Sequence, residues 1–247
     1  NFGHSILNSS VEDKVLNSFN ANIIDNNNNK YVRLSLLSES NNKVKKILIE
    51  FDDLGTFFNN SKISKSFIGG KGTILLDIDE KKLTINEGKI DIYKTSIKNS
   101  SFLARLLQLA SFTGLLEILT NEGIPFDKIE ASFKKNLNEI EISNATFKGL
   151  SLGGRLKGFT EIDTNNIDLE GTIIPAYAIN SLLNKIPLIG QVITGVKGEG
   201  LIGVDFKAKG TYDKPDYIIN PLSILTPGII RSIFDTILNN DELEQAN

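Results

Sequence analysis

The sequence predicts a mainly β fold, an antiparallel meander with short amphipathic helices at its periphery. Most of the chain alternates apolar and polar residues with period two, the pattern of strands that have one apolar face. Short turns rich in Asn, Gly and Asp join these stretches, as at residues 86–88 and 163–166, and such turns favour hairpins. Strands and helices do not alternate regularly along the sequence, so a parallel sheet is not indicated.

Roughly ten strands are expected. The clearest prediction covers residues 199–209, where Ile202, Val204, Phe206 and Ala208 face one way and charged residues face the other. The other predicted strands are residues 30–37, 44–51, 73–78, 89–93, 129–133, 138–142, 151–160 and 167–173.

Helices are expected at residues 52–59, at 100–121 as a pair, at 178–194 as a pair broken before Pro187, and at 226–239. The last has a clear start, with Thr226 as N-cap and Pro227 at the first helical position. Residues 240–247 are acidic and are expected to be disordered. No linker rich in Pro, Gly or Ser divides the sequence, so residues 1–247 are predicted to form one domain.

The segment at residues 101–119 is long enough to span a bilayer, but it carries Arg105, Gln108 and Glu117, which are costly at a bilayer centre. Its pattern is that of an amphipathic helix instead. The predicted apolar side consists of Phe102, Leu103, Leu106, Leu107, Leu109 and Ala110. Such a helix packs on a sheet, lies on a membrane or plugs a ligand groove, and the sequence does not decide among the three.

Composition removes several function classes. With 27 basic and 30 acidic side chains the net charge is -3, and no basic cluster indicates a nucleic-acid partner. The absence of Cys excludes disulfides and cysteine nucleophiles, and the single His4 cannot form a histidine-based metal site or triad. We therefore predict no catalytic residues, no metal site and no cofactor. Because the sequence begins at Asn1 and lacks Met, we expect it to be part of a longer polypeptide.

Two glycine-rich motifs and two acidic pairs have simpler interpretations. The glycine spacing at residues 198–203 matches a dinucleotide site, but it leads into a strand instead of opening a helix. Residues 69–73, GGKGT, are interpreted as a flexible strand entry. The carboxylates lack the pattern of a calcium loop and are interpreted as solvated strand charges. These are Asp52, Asp53, Asp77 and Asp79.

The last third carries a series of motifs that together resemble one family. They are PAYAINSLLNKIPLIG at residues 175–190, GEGLIGVDFKAKG at 198–210, a D-x-P turn at 213–215 and NPLSILTPGIIRSIF at 220–234. Here the chain resembles the C-terminal region of AsmA-like envelope proteins of the YhdP type, most densely over residues 171–234. The positions that carry the resemblance are Pro175, Tyr177, Asn180, Pro187, Gly190, Gly198, Gly200, Gly210, Pro215, Asn220, Pro221, Pro227, Gly228 and Arg231.

The resemblance implies a long, twisted β-groove whose apolar interior carries phospholipid acyl chains between the inner and outer membranes of a Gram-negative bacterium. This chain would be the periplasmic end segment of an inner-membrane-anchored protein, with a membrane surface or an outer-membrane protein as its partner. A groove matters because exposing an acyl chain of about 16 carbons to water costs roughly 12 kcal/mol. The candidate lining residues are Ile74, Leu76, Ile78, Ile90, Ile92, Ala131, Phe133, Ile140, Ile142, Ile167, Leu169, Ile173, Ile202, Val204 and Phe206.

Two other hypotheses stay open. The first is a non-catalytic assembly module for outer-membrane biogenesis that binds protein clients, and the second, ranked far below, is an enzyme. If Val204 and Phe206 line an open groove, a charge at either position is expected to impair transport more than folding.

Overall fold

Twelve strands pair in chain order to form one antiparallel sheet in the computed structural model. The structure describes residues 5–12, 15–24, 30–38, 44–79, 84–175 and 202–224. The strands are β1 Ser5–Glu12, β2 Val15–Ile24, β3 Lys30–Ser38, β4 Val44–Phe51, β5 Phe67–Asp79, β6 Thr84–Ile97, β7 Ile124–Lys135, β8 Glu139–Lys148, β9 Leu152–Glu161, β10 Asn166–Pro175, β11 Ile202–Thr211 and β12 Lys214–Ile224. The helices are α1 Leu54–Asn60, α2 Ser101–Leu109 and α3 Thr113–Asn121.

The open meander confirms the predicted fold class, mainly β with short peripheral helices. The prediction of about ten strands was short because β1, β2 and β12 were not recognised. β1 and β2 are rich in Ser and Asn, which hides the alternation. β12 contains Pro215 and Pro221, and proline is tolerated there because β12 is an edge of the described sheet.

The helices follow the predicted positions, and their caps explain where they begin. The Oδ1 atom of Asp53 accepts a hydrogen bond from the Thr56 backbone N–H at 2.9 Å, which caps α1. Asp53 is therefore a helix cap, and the prediction that it is a solvated strand charge was wrong. The Ser100 hydroxyl oxygen accepts from the Leu103 N–H at 3.3 Å and caps α2. Ser111 has a positive φ of 61°, which turns the chain between α2 and α3.

Two glycine-based predictions were wrong. Residues 86–88 do not form a turn but lie within β6, where Gly88 pairs with Phe133 of β7. A Cβ atom on Gly88 would lie 2.5 Å from the Phe133 ring, so the glycine makes room for that ring. Residues 69–73 lie inside β5 and do not precede it. Gly69 and Gly70 both have positive φ, and Gly70 lies close against Thr95 of β6.

Several predictions fall outside the described residues. They are the helices at 178–194 and 226–239, the tail at 240–247, and the motif positions Tyr177, Asn180, Pro187, Gly190, Gly198, Gly200, Pro227, Gly228 and Arg231.

Candidate functional site

One face of the sheet, here called the inner face, carries three rows of apolar residues that run across the strands. Each row joins directly paired residues of neighbouring strands, and every member is apolar, glycine or the terminal Tyr217. The first row is Val32, Phe51, Gly72, Ile92, Ile129, Phe147, Gly154, Ile173 and Val204. The second is Leu34, Ile49, Ile74, Ile90, Ala131, Ala145, Leu156, Gly171, Phe206 and Ile219. The third is Leu36, Ile47, Leu76, Gly88, Phe133, Ile142, Gly158, Leu169, Ala208 and Tyr217.

Three of the five glycines within these rows lie beneath an aromatic ring of the adjacent strand. A Cβ atom on Gly154 would lie 2.7 Å from the Phe147 ring, and one on Gly171 would lie 2.9 Å from the Phe206 ring. Gly88 and Phe133 repeat the arrangement. Each ring therefore lies close over the backbone of the next strand and fills the space that a side chain would need, which keeps the apolar surface continuous.

The opposite face, here called the outer face, is mostly polar and cross-linked by charge, although Leu48, Leu75 and Phe159 also lie on it. Arg33 pairs with Glu50 across β3 and β4 at 3.3 Å. Glu170 of β10 pairs with Lys157 and Lys207 of the two flanking strands, each at 3.1 Å. The strands from β3 to β12 are therefore amphipathic, with one face suited to water.

The charges around Glu170 also bear on chemistry. Hydrogen bonds from Lys157 and Lys207, together with their positive charge, lower the pKa of the Glu170 carboxyl. Glu170 lies in a depression of about 550 Å³ on the outer face, beside Arg155 and Thr172. A carboxylate with a lowered pKa stays ionised at neutral pH and is poorly suited to donate a proton.

Helix α1 covers one end of the first row. Leu54 is fully buried against Val32, Phe51 and Ile92. Phe57 extends this cluster, with its ring centroid 5.3 Å from that of Phe51. The apolar residues of α1 thus form a local core with β3, β4 and β6.

Helices α2 and α3 cover the inner face of β10 and β11, here called the covered region. Leu106, Leu107 and Leu119 are buried in one cluster with Ile173, Val204 and Phe206. The Phe102 ring lies 6.3 Å from the Phe206 ring and 5.6 Å from the Tyr217 ring, between centroids. Of the alternatives for this segment, packing on the sheet is the one observed.

Tyr217 attaches α2 to the edge strand β12. Its hydroxyl donates a hydrogen bond to the backbone oxygen of Phe102 at 3.2 Å. Burial raises the pKa of Tyr217 to about 12, because the ionised phenolate would lose hydration.

The candidate lining residues divide into two groups. The candidates on β5 to β8 are half-buried, with the exception of Ile92. The inner face of β5–β8 is here called the open region. The half-buried residues are Ile74, Leu76, Ile78, Ile90, Ala131, Phe133, Ile140 and Ile142. The buried residues are Ile92, Ile167, Leu169, Ile173, Val204 and Phe206. Ile202 begins β11.

The helix prediction needs one correction. Leu109 does not belong to the buried side of α2, because it is 37% exposed at the last position of the helix. Phe102 and Leu103 are partly buried, while Leu106, Leu107 and Ala110 are buried. On a helical projection, Leu109 falls at the margin of this apolar side.

The described motif residues have structural positions on the sheet. Pro175 ends β10, as predicted, and is buried. Gly210 has a positive φ of 107° and pairs with Pro215, next to the β11–β12 turn. Asn220 is exposed on β12, and Pro221 continues that strand.

Sequence reasoning missed the contribution of β3 and β4 to the inner face. Val32, Leu34, Ile47, Ile49 and Phe51 all lie in the three rows. The period-two pattern of both segments contained this signal, but the candidate lining residues were chosen only from Ile74 onward. The candidate list therefore omitted one side of the surface.

No metal-binding cluster of His, Asp or Glu occurs within the described ranges. Among the same residues, no helix has the length and apolar character needed to cross a membrane. Comparison of the chain with protein-family models, with curated proteins and with solved structures found no match.

Proposed function

We propose that this chain is a segment of a lipid-transfer protein of the cell envelope, and that its inner face shields phospholipid acyl chains. The observation that carries the proposal is the continuity of the apolar rows from β3 to β12. The half-buried side chains of the open region supply a surface that a ligand can reach. The polar outer face suits a groove whose exterior is in water.

The dimensions suit an acyl chain. The four strands of the open region, spaced about 4.8 Å apart, carry the rows over about 14 Å that α2 and α3 leave uncovered. The hydrocarbon core of a bilayer is about 30 Å thick, so one acyl chain spans about 15 Å of it. The open region is therefore about as wide as one acyl chain is long, and the rows continue the apolar surface on either side of it.

The energetics favour the same interpretation. Moving a methylene group from water to an apolar surface gains about 0.8 kcal/mol. Within the open region the three rows have no charged member, so no position there would hold a lipid much more tightly than the next. Uniform affinity allows movement along the surface, and the proposal assigns no catalytic role to the chain.

The membrane systems in the proposal come from the family resemblance. An AsmA-like protein of the YhdP type would place this segment in the periplasm, as part of an inner-membrane-anchored protein that moves phospholipid between the inner and outer membranes.

The test places a photoreactive benzophenone amino acid at Phe133, where an aromatic side chain already lies in the open region. The matched control places it at Lys134, the next residue, which is exposed on the outer face. Purified protein is mixed with vesicles that contain radiolabelled phosphatidylethanolamine and then irradiated. We expect labelling at position 133 and little at 134.

Equal labelling at the two positions, or none in protein with an unchanged circular dichroism spectrum, would contradict an acyl-binding inner face.

A second candidate is an assembly module that binds strands of an outer-membrane protein. The observation in its favour is that β12 is an edge strand of the described sheet, and edge strands are where added strands pair. It is tested by photocrosslinking from Ile218, which is exposed on β12, to an unfolded β-barrel protein. Protein crosslinks there, with no lipid at Phe133, would favour this candidate.

A further inference from the structure

Three hairpin turns lie side by side at one end of the strands, here called the tip edge. They are the turns between β7 and β8, β9 and β10, and β11 and β12. The Ile162 N–H donates to the Asn138 oxygen at 2.8 Å, and the Tyr212 N–H donates to the Asn165 oxygen at 2.9 Å. These bonds tie each turn to the next, and successive turns are about 10 Å apart, or two strand spacings.

Each of these turns presents one large apolar or amphipathic side chain to solvent. Leu137 is 99% exposed, Tyr212 is 54% exposed and Ile162 is 41% exposed. Turns favour Gly, Asn, Asp and Ser, so a fully exposed leucine between Asn136 and Asn138 gains nothing from turn formation itself. Among the described residues, none covers the Leu137 side chain.

Several polar groups of the first two turns have hydrogen-bond partners within their own turn. The Lys135 ammonium group donates to the backbone oxygens of Asn136 and Leu137 at 3.3 and 3.4 Å. In the next turn, the Thr164 hydroxyl donates to Glu161 at 2.6 Å and accepts from the Asn166 N–H at 3.2 Å. Groups with internal partners lose less when water is removed, so the turns can enter a less polar medium at reduced cost.

The spacing of the three side chains decides between possible partners. A stable protein interface buries about 1,200 to 2,000 Å² of total surface in a contiguous patch. Three side chains about 10 Å apart supply only a few hundred Å², divided by polar turn residues. A bilayer interface accepts each side chain separately, and tyrosine is enriched at that depth.

Charge near the tip edge indicates what kind of bilayer contact is involved. The basic residues are Lys135, Lys214 and Arg105 of α2, which lines a depression together with Tyr212. They are accompanied by the acidic residues Glu161, Asp163, Asp213 and Asp216. Because basic residues are not in excess, attraction to anionic lipid does not explain binding here. Insertion of apolar side chains would drive it.

We infer that the tip edge docks on a phospholipid bilayer by inserting Leu137, Ile162 and Tyr212 into the interfacial layer. This inference does not rest on the proposed function, since a protein can dock on a membrane without carrying lipid along its inner face. It assigns the membrane contact to turns of the sheet and not to α2, whose apolar side is packed against β10 and β11.

The test uses the absence of tryptophan from the chain, which makes one introduced tryptophan the only such fluorophore. The reporter variant is Leu137→Trp. Its matched control is Leu150→Trp, because Leu150 is 79% exposed in the β8–β9 turn at the opposite end of the strands. With vesicles of dioleoylphosphatidylcholine, we expect the emission of the 137 variant to move to shorter wavelength and to be quenched by lipids brominated in the acyl chain. The 150 variant should change in neither respect.

Vesicle co-sedimentation measures the contribution of the leucine. Because a buried leucine side chain gains about 1.5 to 3 kcal/mol, Leu137→Ser should weaken binding roughly ten-fold or more, whereas Leu150→Ser should not. Photolabelling from Phe133 by detergent-solubilised lipid should persist in Leu137→Ser, which separates this inference from the proposed function.

Several results would overturn the inference. The first is a tryptophan emission of folded Leu137→Trp that vesicles do not change. The second is an equal emission change in Leu137→Trp and Leu150→Trp. The third is vesicle binding that requires phosphatidylglycerol and is lost in high salt. An emission change that depends on protein concentration without vesicles would identify a second copy of the chain as the partner instead.

Discussion

The open region and the covered region carry the same apolar rows, yet their side chains have different surroundings. Leu76 and Phe133 of the open region are half-buried, whereas Val204 and Phe206 of the covered region are buried beneath α2 and α3. The strands themselves do not differ in pattern. The comparison teaches that alternation determines which side chains share a face, while the helices determine whether that face is a core or an accessible surface.

The largest effect is expected from a charge placed in each region. Val204→Asp should lower the free energy of unfolding by about 4 kcal/mol or more, because a carboxylate would be buried without a partner. Leu76→Asp should cost about 1 kcal/mol, since its carboxylate can reach water. Urea denaturation measures both. This prediction replaces the earlier expectation that a charge at Val204 would impair transport more than folding. Equal losses of unfolding free energy in the two variants would mean that the two regions do not differ in burial.

A smaller effect tests whether α2 seals the covered region. Leu107 is fully buried and Leu109 of the same helix is 37% exposed. We expect Leu107→Ala to cost about 3 kcal/mol through the cavity it leaves, and Leu109→Ala to cost less than about 1 kcal/mol. Thermal and urea unfolding measure the stability of the two variants, and because both replace leucine by alanine in α2, the change in helix propensity is the same. Similar costs for both would mean that α2 does not pack as described.

The smallest effect concerns the attachment of α2 to β12. Tyr217→Phe removes the hydrogen bond to the Phe102 oxygen and should cost about 1 kcal/mol at neutral pH. Because the pKa of Tyr217 is raised to about 12 in the folded protein, its contribution is complete below pH 10 and is lost as the pH rises toward 12. Between pH 9 and 11, the free energy of unfolding should therefore fall less for Tyr217→Phe than for the original chain.

Tyr93→Phe is the matched control for this measurement, because the Tyr93 ring is 44% exposed on β6 and Tyr93 is not among the groups that shift the pKa of Tyr217. A Tyr217→Phe variant whose decline equals that of the original chain would argue against this attachment.

The sequence was sufficient to predict the mainly β fold class, the position of α1 and the α2–α3 pair, because these depend on local periodicity and helix capping. It was not sufficient to predict that Val204 is buried, since that depends on α2, which precedes β11 by a long stretch of chain. Gly88 illustrates the same limit. A glycine that follows an asparagine and a glutamate resembles a turn, and only its pairing with Phe133 reveals that it makes room for a ring.

The regular strand order has a consequence for the architecture as a whole. In the described part of the chain, every strand pairs only with the strands before and after it in sequence. The strand pairing by itself is one-dimensional in its energetics, close to a sum over neighbouring pairs as in repeat proteins, and α2 and α3 add contacts that reach from β6 to β10–β12. A hairpin can therefore be inserted or deleted before β6 with little change to these distant contacts, so the length of that part of the sheet can vary during evolution while its two faces keep their character.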